Sequence, residues 1–197
     1  MRSLQELAEA RLSTLISGRV LTTRRLQLEP LLPTHARHLF ESLQDTRLYQ
    51  FHAGPPPASI KELEQRYAGW ALRQSPDGTQ TWLNYAVREK HGPYVGWVQA
   101  TMASGVATIG YDIFPDFWRR GYATEACREL MRFVDEEYGV TSVIAVVDTE
   151  NVASIRLLGR LGFTCVWSGP SEDMPGRLDH RFEKVVGCSI GQADRRK

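Results

Sequence analysis

The chain has 197 residues and a formal net charge of +1 at pH 7, with both signs of charge interspersed. Hydrophobic residues make up 42% of the chain and charged residues 24%, a composition that supports a packed core and argues against intrinsic disorder. The small net charge excludes the strongly basic surface typical of nucleic-acid binding, and the longest apolar runs are too short to cross a bilayer. Three widely spaced cysteines, without metal-ligand spacing, fit a reducing cytoplasm.

The first predicted element is an amphipathic helix within residues 1–20, where leucines and an isoleucine recur at helical spacing. Glu6 and Glu9 lie among these leucines and argue against a secretory signal. The helix is interpreted as an arm over the core, a dimer contact or a frayed tail, so that a monomer and a homodimer both stay open. We expect the main domain to span residues 21–188 and a polar tail to occupy residues 189–197.

The next elements alternate between strand and helix patterns. Residues 25–31 predict a strand, and Pro33 is well placed to start a helix that reaches about residue 43. A proline-rich loop follows, and residues 58–74 then predict a helix with Ser59 as its N-cap. Three strands separated by turns come next and predict an antiparallel meander, namely 82–89, 94–103 and 107–114.

A basic, glycine-containing turn follows the third strand of this meander. Arg119, Arg120 and Gly121 precede a helix that continues to Tyr138, with apolar residues at helical spacing. The first turn of a helix has unpaired N–H groups and a dipole that favours negative charge. Because Gly121 also permits close approach to the backbone, the turn predicts a phosphate site. Two solvated arginines on a surface turn are the alternative.

The remaining segments continue the alternation. Residues 141–147 are a continuous β-branched run, typical of a strand buried on both faces. Asn151 heads a helical segment over 152–161, which Gly162 is suited to terminate. Two further segments predict strands, namely 163–167 and 178–188.

Three short motifs, taken in order, carry a family resemblance. They are Gly121-Tyr122-Ala123-Thr124-Glu125-Ala126, Asn151-Val152-Ala153-Ser154 and Leu161-Gly162-Phe163. Together they resemble the GNAT superfamily of acetyl-CoA-dependent N-acetyltransferases, and within it the Rim-type ribosomal-protein N-terminal acetyltransferase branch. The resemblance covers roughly residues 22–187. It implies an α/β (α+β) fold with a mixed, mostly antiparallel sheet of about seven strands, splayed between strands 4 and 5, with helices on both faces.

The resemblance also implies the residues that hold acetyl-CoA. Backbone N–H groups of the turn would bind the pyrophosphate, the fourth strand would pair with the pantetheine arm, and the backbone near Ile113 would polarise the thioester carbonyl. Asn151 would hydrogen-bond the pantetheine, although a helix N-cap is its alternative role. Trp118 stands where the family usually has Gln or Arg. The cofactor-binding residues implied are Ile113, Phe114, Arg119, Arg120, Gly121, Tyr122, Ala123, Thr124, Asn151 and Ser154.

The catalytic candidates are less narrowly defined. Many relatives place a tyrosine, the acid for the departing thiolate, at the position that is Leu158 here. Ser154 resembles the serine that the Rim-like branch has beside the sulfur and is the candidate donor, with a second cap or a small packing residue as its alternative role. Asp112, predicted to face away from Ile109, Tyr111 and Ile113, is the first candidate for the base. The loop acids Glu172 and Asp173 are the second, and His52 is a further one. His180 and Asp179 are assigned to the closing strand.

The acceptor pocket is expected to form from residues 47–70, the loop near 75–80 and the loop 168–177. Aromatic residues in the first of these segments favour a partly apolar amine, and the same residues can equally be core. A protein N-terminal amine and a small-molecule amine both remain open as acceptors. No metal is expected. The alternatives to an enzyme are an inactive acyl-CoA-binding module or sensor, and an unrelated α/β nucleotide binder.

Overall fold

The computed structural model describes residues 18–187. The predicted N-terminal helix is mostly outside the described residues, and Cys188 and the polar tail lie wholly outside them. The described chain forms one eight-stranded open sheet in the order β1-β2-β3-β4-β5-β6-β8-β7, in which only β5 and β6 pair in parallel. The strands are β1 (Leu21–Thr22), β2 (Leu26–Pro30), β3 (Thr81–Glu89), β4 (Tyr94–Ala103), β5 (Val106–Ile113), β6 (Ser142–Asp148), β7 (Thr164–Pro170) and β8 (Leu178–Val185).

The helices cover both faces of this sheet and bury two separate apolar clusters. The helices are α1 (Ala36–Leu39), α2 (Ile60–Trp70), α3 (Tyr122–Tyr138) and α4 (Val152–Arg160). The larger cluster includes Leu130 of α3 and Leu158 of α4, and the smaller one includes Leu39 of α1 and Leu63 of α2. No helix among residues 18–187 is both long and apolar enough to cross a membrane.

Two predicted helices are shorter than their patterns indicate. The segment expected as one helix over 33–43 consists of 3₁₀ turns on either side of α1. The helix expected over 58–74 begins after Ser59, whose hydroxyl accepts from Glu62 N–H, and ends at Trp70. Arg73 beyond it has a φ of 59°, a backbone conformation that a helix does not continue through.

β5 and β6 separate after a short paired stretch, as the expected splay requires. They pair only between Val106–Thr108 and Ser142–Ile144. Beyond that point β5 keeps β4 on one side, where the Phe114 N–H donates to the Val95 carbonyl at 2.8 Å. Because antiparallel strands alternate the direction of their N–H groups, Tyr111 and Ile113 direct theirs toward the open edge. The splay therefore leaves a cleft with unpaired strand amides on one wall.

Gly96 lets β4 approach the site-bearing end of β5. A Cβ at this position would stand 2.0 Å from the Asp112 carbonyl oxygen, and its φ of 155° disfavours side chains. We expect Gly96→Ala to lower the free energy of unfolding by about 2 kcal/mol or more, since backbone must move. At this chain length that is a fall in melting temperature of roughly 4–8 °C by calorimetry.

Gly110→Ala is the matched control for Gly96→Ala. Its Cβ would meet only the Gln99 side chain, at 3.1 Å, and that side chain can move away. Equal melting temperatures for the two variants would contradict a requirement for glycine at position 96.

Candidate active site

The N-terminus of α3 is arranged to receive an anion. Gly121 is its N-cap residue, with φ 77° and ψ 11°, and no side chain caps the first turn. By contrast, Ser59 caps α2 and Asn151 caps α4 through side-chain oxygens. The first-turn N–H groups of α3 are therefore left for a ligand, and a Cβ at Gly121 would have only one near neighbour, the Arg25 guanidinium at 3.6 Å.

Arg25 on the neighbouring sheet edge holds this turn in place. Its guanidinium donates to the Arg120 carbonyl at 2.9 Å and to the Glu125 carboxylate at 2.6 Å. Glu125 also accepts from the Thr23 hydroxyl at 2.5 Å. The first-turn carboxylate is thus neutralised by partners from the edge of the sheet and does not compete with an anion at the helix N-terminus.

The two arginines of the turn differ in the hydrogen bonds that their side chains make. Arg120 donates from its guanidinium to the Asp116 carbonyl at 3.0 Å, across the turn. Arg119 has a φ of 61° and makes no hydrogen bond or ion pair with the described residues. Tyr122 is buried and its hydroxyl donates to Glu89, so only its backbone can contribute to the turn. Arg119 is therefore the side chain best placed to reach a bound phosphate.

Trp118 and Phe114 frame the end of β5. The Trp118 indole N–H donates to the Ile113 carbonyl, so the tryptophan at the position where Gln or Arg is usual fixes the strand end. Phe114 is only 2% exposed, and its N–H already pairs with Val95. Ile113 and Phe114 are both predicted cofactor residues, but only Ile113 directs its N–H toward the open edge of β5.

Asn151 and Ser154 meet at the start of α4. The Asn151 side-chain oxygen accepts from the Ser154 N–H at 3.1 Å, the geometry of an N-cap. The Asn151 side-chain N–H₂ group is not used by this bond, so capping leaves a donor for a ligand. Leu158, one turn further along α4, is fully buried in the larger core cluster.

Asp112 lies on the opposite face of the sheet, where it meets His52. The His52 Nε2 and Asp112 Oδ1 atoms are 3.1 Å apart, and the His52 side chain is 41% exposed against 19% for Asp112. Burial raises the pKa of Asp112 above its ordinary value, and the hydrogen bond with His52 opposes part of that rise. The same hydrogen bond raises the pKa of His52, against the effect of burial. The more exposed imidazole is thus hydrogen-bonded to a half-buried carboxylate.

The His52–Asp112 pair opens into a cavity of about 160 Å³ between the sheet and the α1–α2 region. The segment 47–70 contains five aromatic residues. Four of them line the cavity, namely Tyr49, His52, Tyr67 and Trp70, and Phe51 does not. Trp97, paired in register with Asp112 across β4 and β5, also lines it and was not predicted. Sequence pattern could not single out Trp97, because only the register brings it beside the carboxylate. The lining residues include Leu43, Leu48, Tyr49, His52, Leu63, Arg66, Tyr67, Trp70, Asn84, Trp97 and Asp112.

No residue of the loop 168–177 lines this cavity, although Arg177 contacts the segment that precedes His52. This arginine forms an ion pair with buried Asp148 and stacks over the Phe51 ring at 5.4 Å. Glu172 and Asp173 are exposed on that loop and are not among the residues that line the cavity, nor is any residue of the loop near 75–80. Among residues 18–187, no group of three or more His, Cys, Asp or Glu side chains is arranged to hold a metal ion.

The chain matches the family model of the acetyltransferase (GNAT) domain over residues 25–164, well over half its length. The chain belongs to the GNAT family of acetyl-CoA-dependent N-acetyltransferases. It is 30% identical over 158 residues to FsC-acetyl coenzyme A-N(2)-transacetylase of Aspergillus fumigatus, covering 74% of this chain and 65% of that protein. The GNAT chain described here therefore spans slightly less than two thirds of that relative.

Further comparisons agree with this family and fold. The uncharacterized N-acetyltransferase YoaA of Bacillus subtilis is 27% identical over 147 residues, which cover 73% of this chain and 82% of that one. The structure of RimL, a ribosomal alpha-N-protein acetyltransferase in complex with coenzyme A, has a TM-score of 0.76 at 16% identity. That match covers 86% of this chain and 99% of RimL. The predicted family and the mixed, mostly antiparallel GNAT sheet are confirmed.

Proposed function

We propose that this GNAT protein transfers the acetyl group of acetyl-CoA directly to a primary amine at the end of β5. One observation carries the proposal. The splayed strand has unpaired amides on one side, and the half-buried Asp112 carboxylate faces a separate cavity on the other. A thioester on one face and an amine on the other would meet at residues 111–113, without a covalent enzyme intermediate.

On the cofactor side, the first-turn N–H groups of α3 bind the pyrophosphate and Arg119 adds a positive charge. The same turn also contributes the backbone N–H groups of Arg120, Tyr122, Ala123 and Thr124. The pantetheine arm lies along the open edge of β5 as an added strand. There the Ile113 N–H donates to the thioester carbonyl, and the Asn151 side-chain amide binds the arm.

On the acceptor side, the His52–Asp112 pair removes a proton from the incoming ammonium. An ionised Asp112 accepts a hydrogen bond from Nε2, which leaves the lone pair of neutral His52 on Nδ1. That nitrogen takes the proton directly or through one water. An α-ammonium group has a pKa of about 8, so a histidine whose pKa is raised by its carboxylate partner is a well-matched base. Asp112 acting alone, or exposed Asp173, is the alternative base.

The transfer then follows in two steps. The neutral amine nitrogen attacks the carbonyl carbon, and the carbonyl π pair moves onto oxygen, which the Ile113 N–H stabilises. The attacking nitrogen then gives up its excess proton to water, and the intermediate collapses with cleavage of the C–S bond, so that the sulfur leaves with the electron pair beside Ser154. The proton taken by His52 passes to solvent, and the coenzyme A thiolate is protonated by solvent after release.

The cavity favours an amine with an apolar or aromatic body. Aromatic wall is supplied by Tyr49, Tyr67, Trp70 and Trp97, and the polar lining residues include His52, Arg66, Asn84 and Asp112. RimL acts on an alpha-amino group of a protein, whereas the relative from Aspergillus fumigatus is described as an N(2)-transacetylase. A protein N-terminal amine and a small-molecule amine are both consistent with this site.

A catalytically inactive acyl-CoA-binding module is the second candidate. One observation favours it. Leu158 is a fully buried hydrocarbon at the position where many relatives have a tyrosine acid. Such a module would bind acetyl-CoA through the α3 turn and release no thiol in the presence of amines.

The deciding experiment is a screen of amines with acetyl-CoA, following thiol release and acetylated product by mass spectrometry. The panel holds arylalkylamines, polyamines, amino acids and peptides with free N-termini. We expect turnover with at least one amine and a preference for apolar ones, because the cavity wall is aromatic. Binding of acetyl-CoA by calorimetry with no product from any amine would instead support the inactive module.

A further inference from the structure

Tyr111 on β5 is a partly buried tyrosine whose hydroxyl is buried and unused. Tyr111 points to the α3–α4 face of the sheet, and its hydroxyl oxygen is buried without a hydrogen-bond partner among the described residues. A buried hydroxyl without a partner is destabilising, because its lost hydration is not replaced by a hydrogen bond. A phenylalanine would avoid this cost with the same ring, so an unpaired phenol beside a reaction site points to a role with bound substrate.

The surroundings of this hydroxyl place it beside Ser154. Tyr111 packs against the same cluster as Ile155 and Leu158 of α4, and Ser154 lies on the Leu158 side of that helix, one turn toward its N-terminus. The Ser154 hydroxyl is near enough to lower the pKa of Tyr111, against the larger rise that burial causes. Tyr111 therefore stays protonated at neutral pH and can act as a hydrogen-bond donor.

Resting on the proposed acetyl transfer, we propose that Tyr111 is a positioning residue for the leaving thiolate. In the loaded site the Tyr111 O–H donates to the Ser154 oxygen, and the Ser154 O–H is thereby directed at the sulfur. We call this arrangement the Tyr111–Ser154 pair. The Tyr111 hydroxyl on β5 thus provides a hydrogen-bonding group near the sulfur, which the hydrocarbon side chain of Leu158 on α4 cannot provide.

The pair acts at the step in which the C–S bond breaks. The electron pair of that bond goes to sulfur, and the Ser154 hydroxyl donates a hydrogen bond to the forming thiolate. A donor that is itself hydrogen-bonded is polarised and becomes a stronger donor. No proton is transferred within the pair, so both hydroxyls are unchanged after release and the coenzyme is protonated by solvent.

The test compares Tyr111→Phe with Ser154→Ala on the full chain, using the best amine from the screen. We expect Ser154→Ala to lower kcat about 10- to 100-fold and Tyr111→Phe about 10-fold, with affinity for coenzyme A little changed. The double variant should be no slower than Ser154→Ala, because Tyr111 acts through Ser154. Tyr138→Phe is the control for the loss of a phenol, since Tyr138 is the last residue of α3 and does not line the cavity.

A second readout separates positioning from packing. Acetyl-seleno-CoA has a leaving group that is a much weaker base than the thiolate and needs less stabilisation. The deficit of both Tyr111→Phe and Ser154→Ala should shrink with the selenoester, whereas a packing defect would slow both substrates equally.

The outcomes separate this inference from the proposed function. Failure of the wild-type protein to acetylate any amine would overturn the proposed function, and the pair with it. If the wild type does acetylate an amine, any of three results would overturn the pair alone. They are a Tyr111→Phe variant with the kcat of the wild type, additive effects in the double variant, and equal kcat deficits with the thioester and the selenoester.

Discussion

Asp112→Asn is expected to lower kcat/KM for acetyl transfer by about 100-fold or more, because the proposed His52 base loses the carboxylate that orients it and raises its pKa. The variant keeps a side-chain oxygen 3.1 Å from His52 but loses the charge. Because Asp112 is the main cause of the raised pKa of His52, the acidic limb of the pH profile should move to lower pH in the variant. Steady-state kinetics from pH 5 to about 9 measure both effects, with coenzyme A affinity as a check on the fold.

His52→Gln is the companion variant. It removes the proposed base, so the acidic limb that His52 causes in the pH profile should disappear. His91→Gln, in an exposed turn away from the cavity, is the control for loss of a histidine. Retention of the limb in His52→Gln together with its loss in Asp112→Asn would assign the base to Asp112 alone. Normal profiles in both, with a defect in Asp173→Asn, would move the base to the loop.

Gly121→Val is expected to weaken coenzyme A binding by an order of magnitude or more. A β-branched residue is disfavoured at a φ of 77°, and its side chain would stand where the pyrophosphate approaches the first turn of α3. Isothermal titration calorimetry with coenzyme A measures the change directly.

Gly139→Val is the matched control for Gly121→Val. Gly139 caps the other end of the same helix with a φ of 61°, so valine there carries comparable backbone strain without touching the proposed cofactor turn. We expect this variant to lose stability but keep its affinity for coenzyme A. Equal affinity losses in the two variants would show that helix strain, rather than phosphate contact, explains the result.

The elements around the cofactor turn could be predicted because their signals are local. The helix after Gly121 was predicted to reach Tyr138 and does so, since its apolar residues repeat at helical spacing and Gly139 ends it in a left-handed conformation. Asn151 was predicted as a helix N-cap or a ligand, and the capping bond is present. The region 33–51 was predicted less well, because short 3₁₀ turns lack a periodic pattern.

By itself, the sequence determined the family, the order of the elements and the position of the turn that we propose binds the pyrophosphate, since each rests on motifs or periodicities within a few residues. Only the tertiary structure decided how Asp112 is used. Its partner His52 is 60 residues away along the chain, and its cavity neighbour Trp97 is set by strand register. The same holds for the unpartnered Tyr111 hydroxyl, because burial and hydrogen-bond satisfaction depend on how β5, α3 and α4 pack. Long-range packing leaves no periodic signal in a single sequence, and the contacts of Asp112 and Tyr111 depend on that packing.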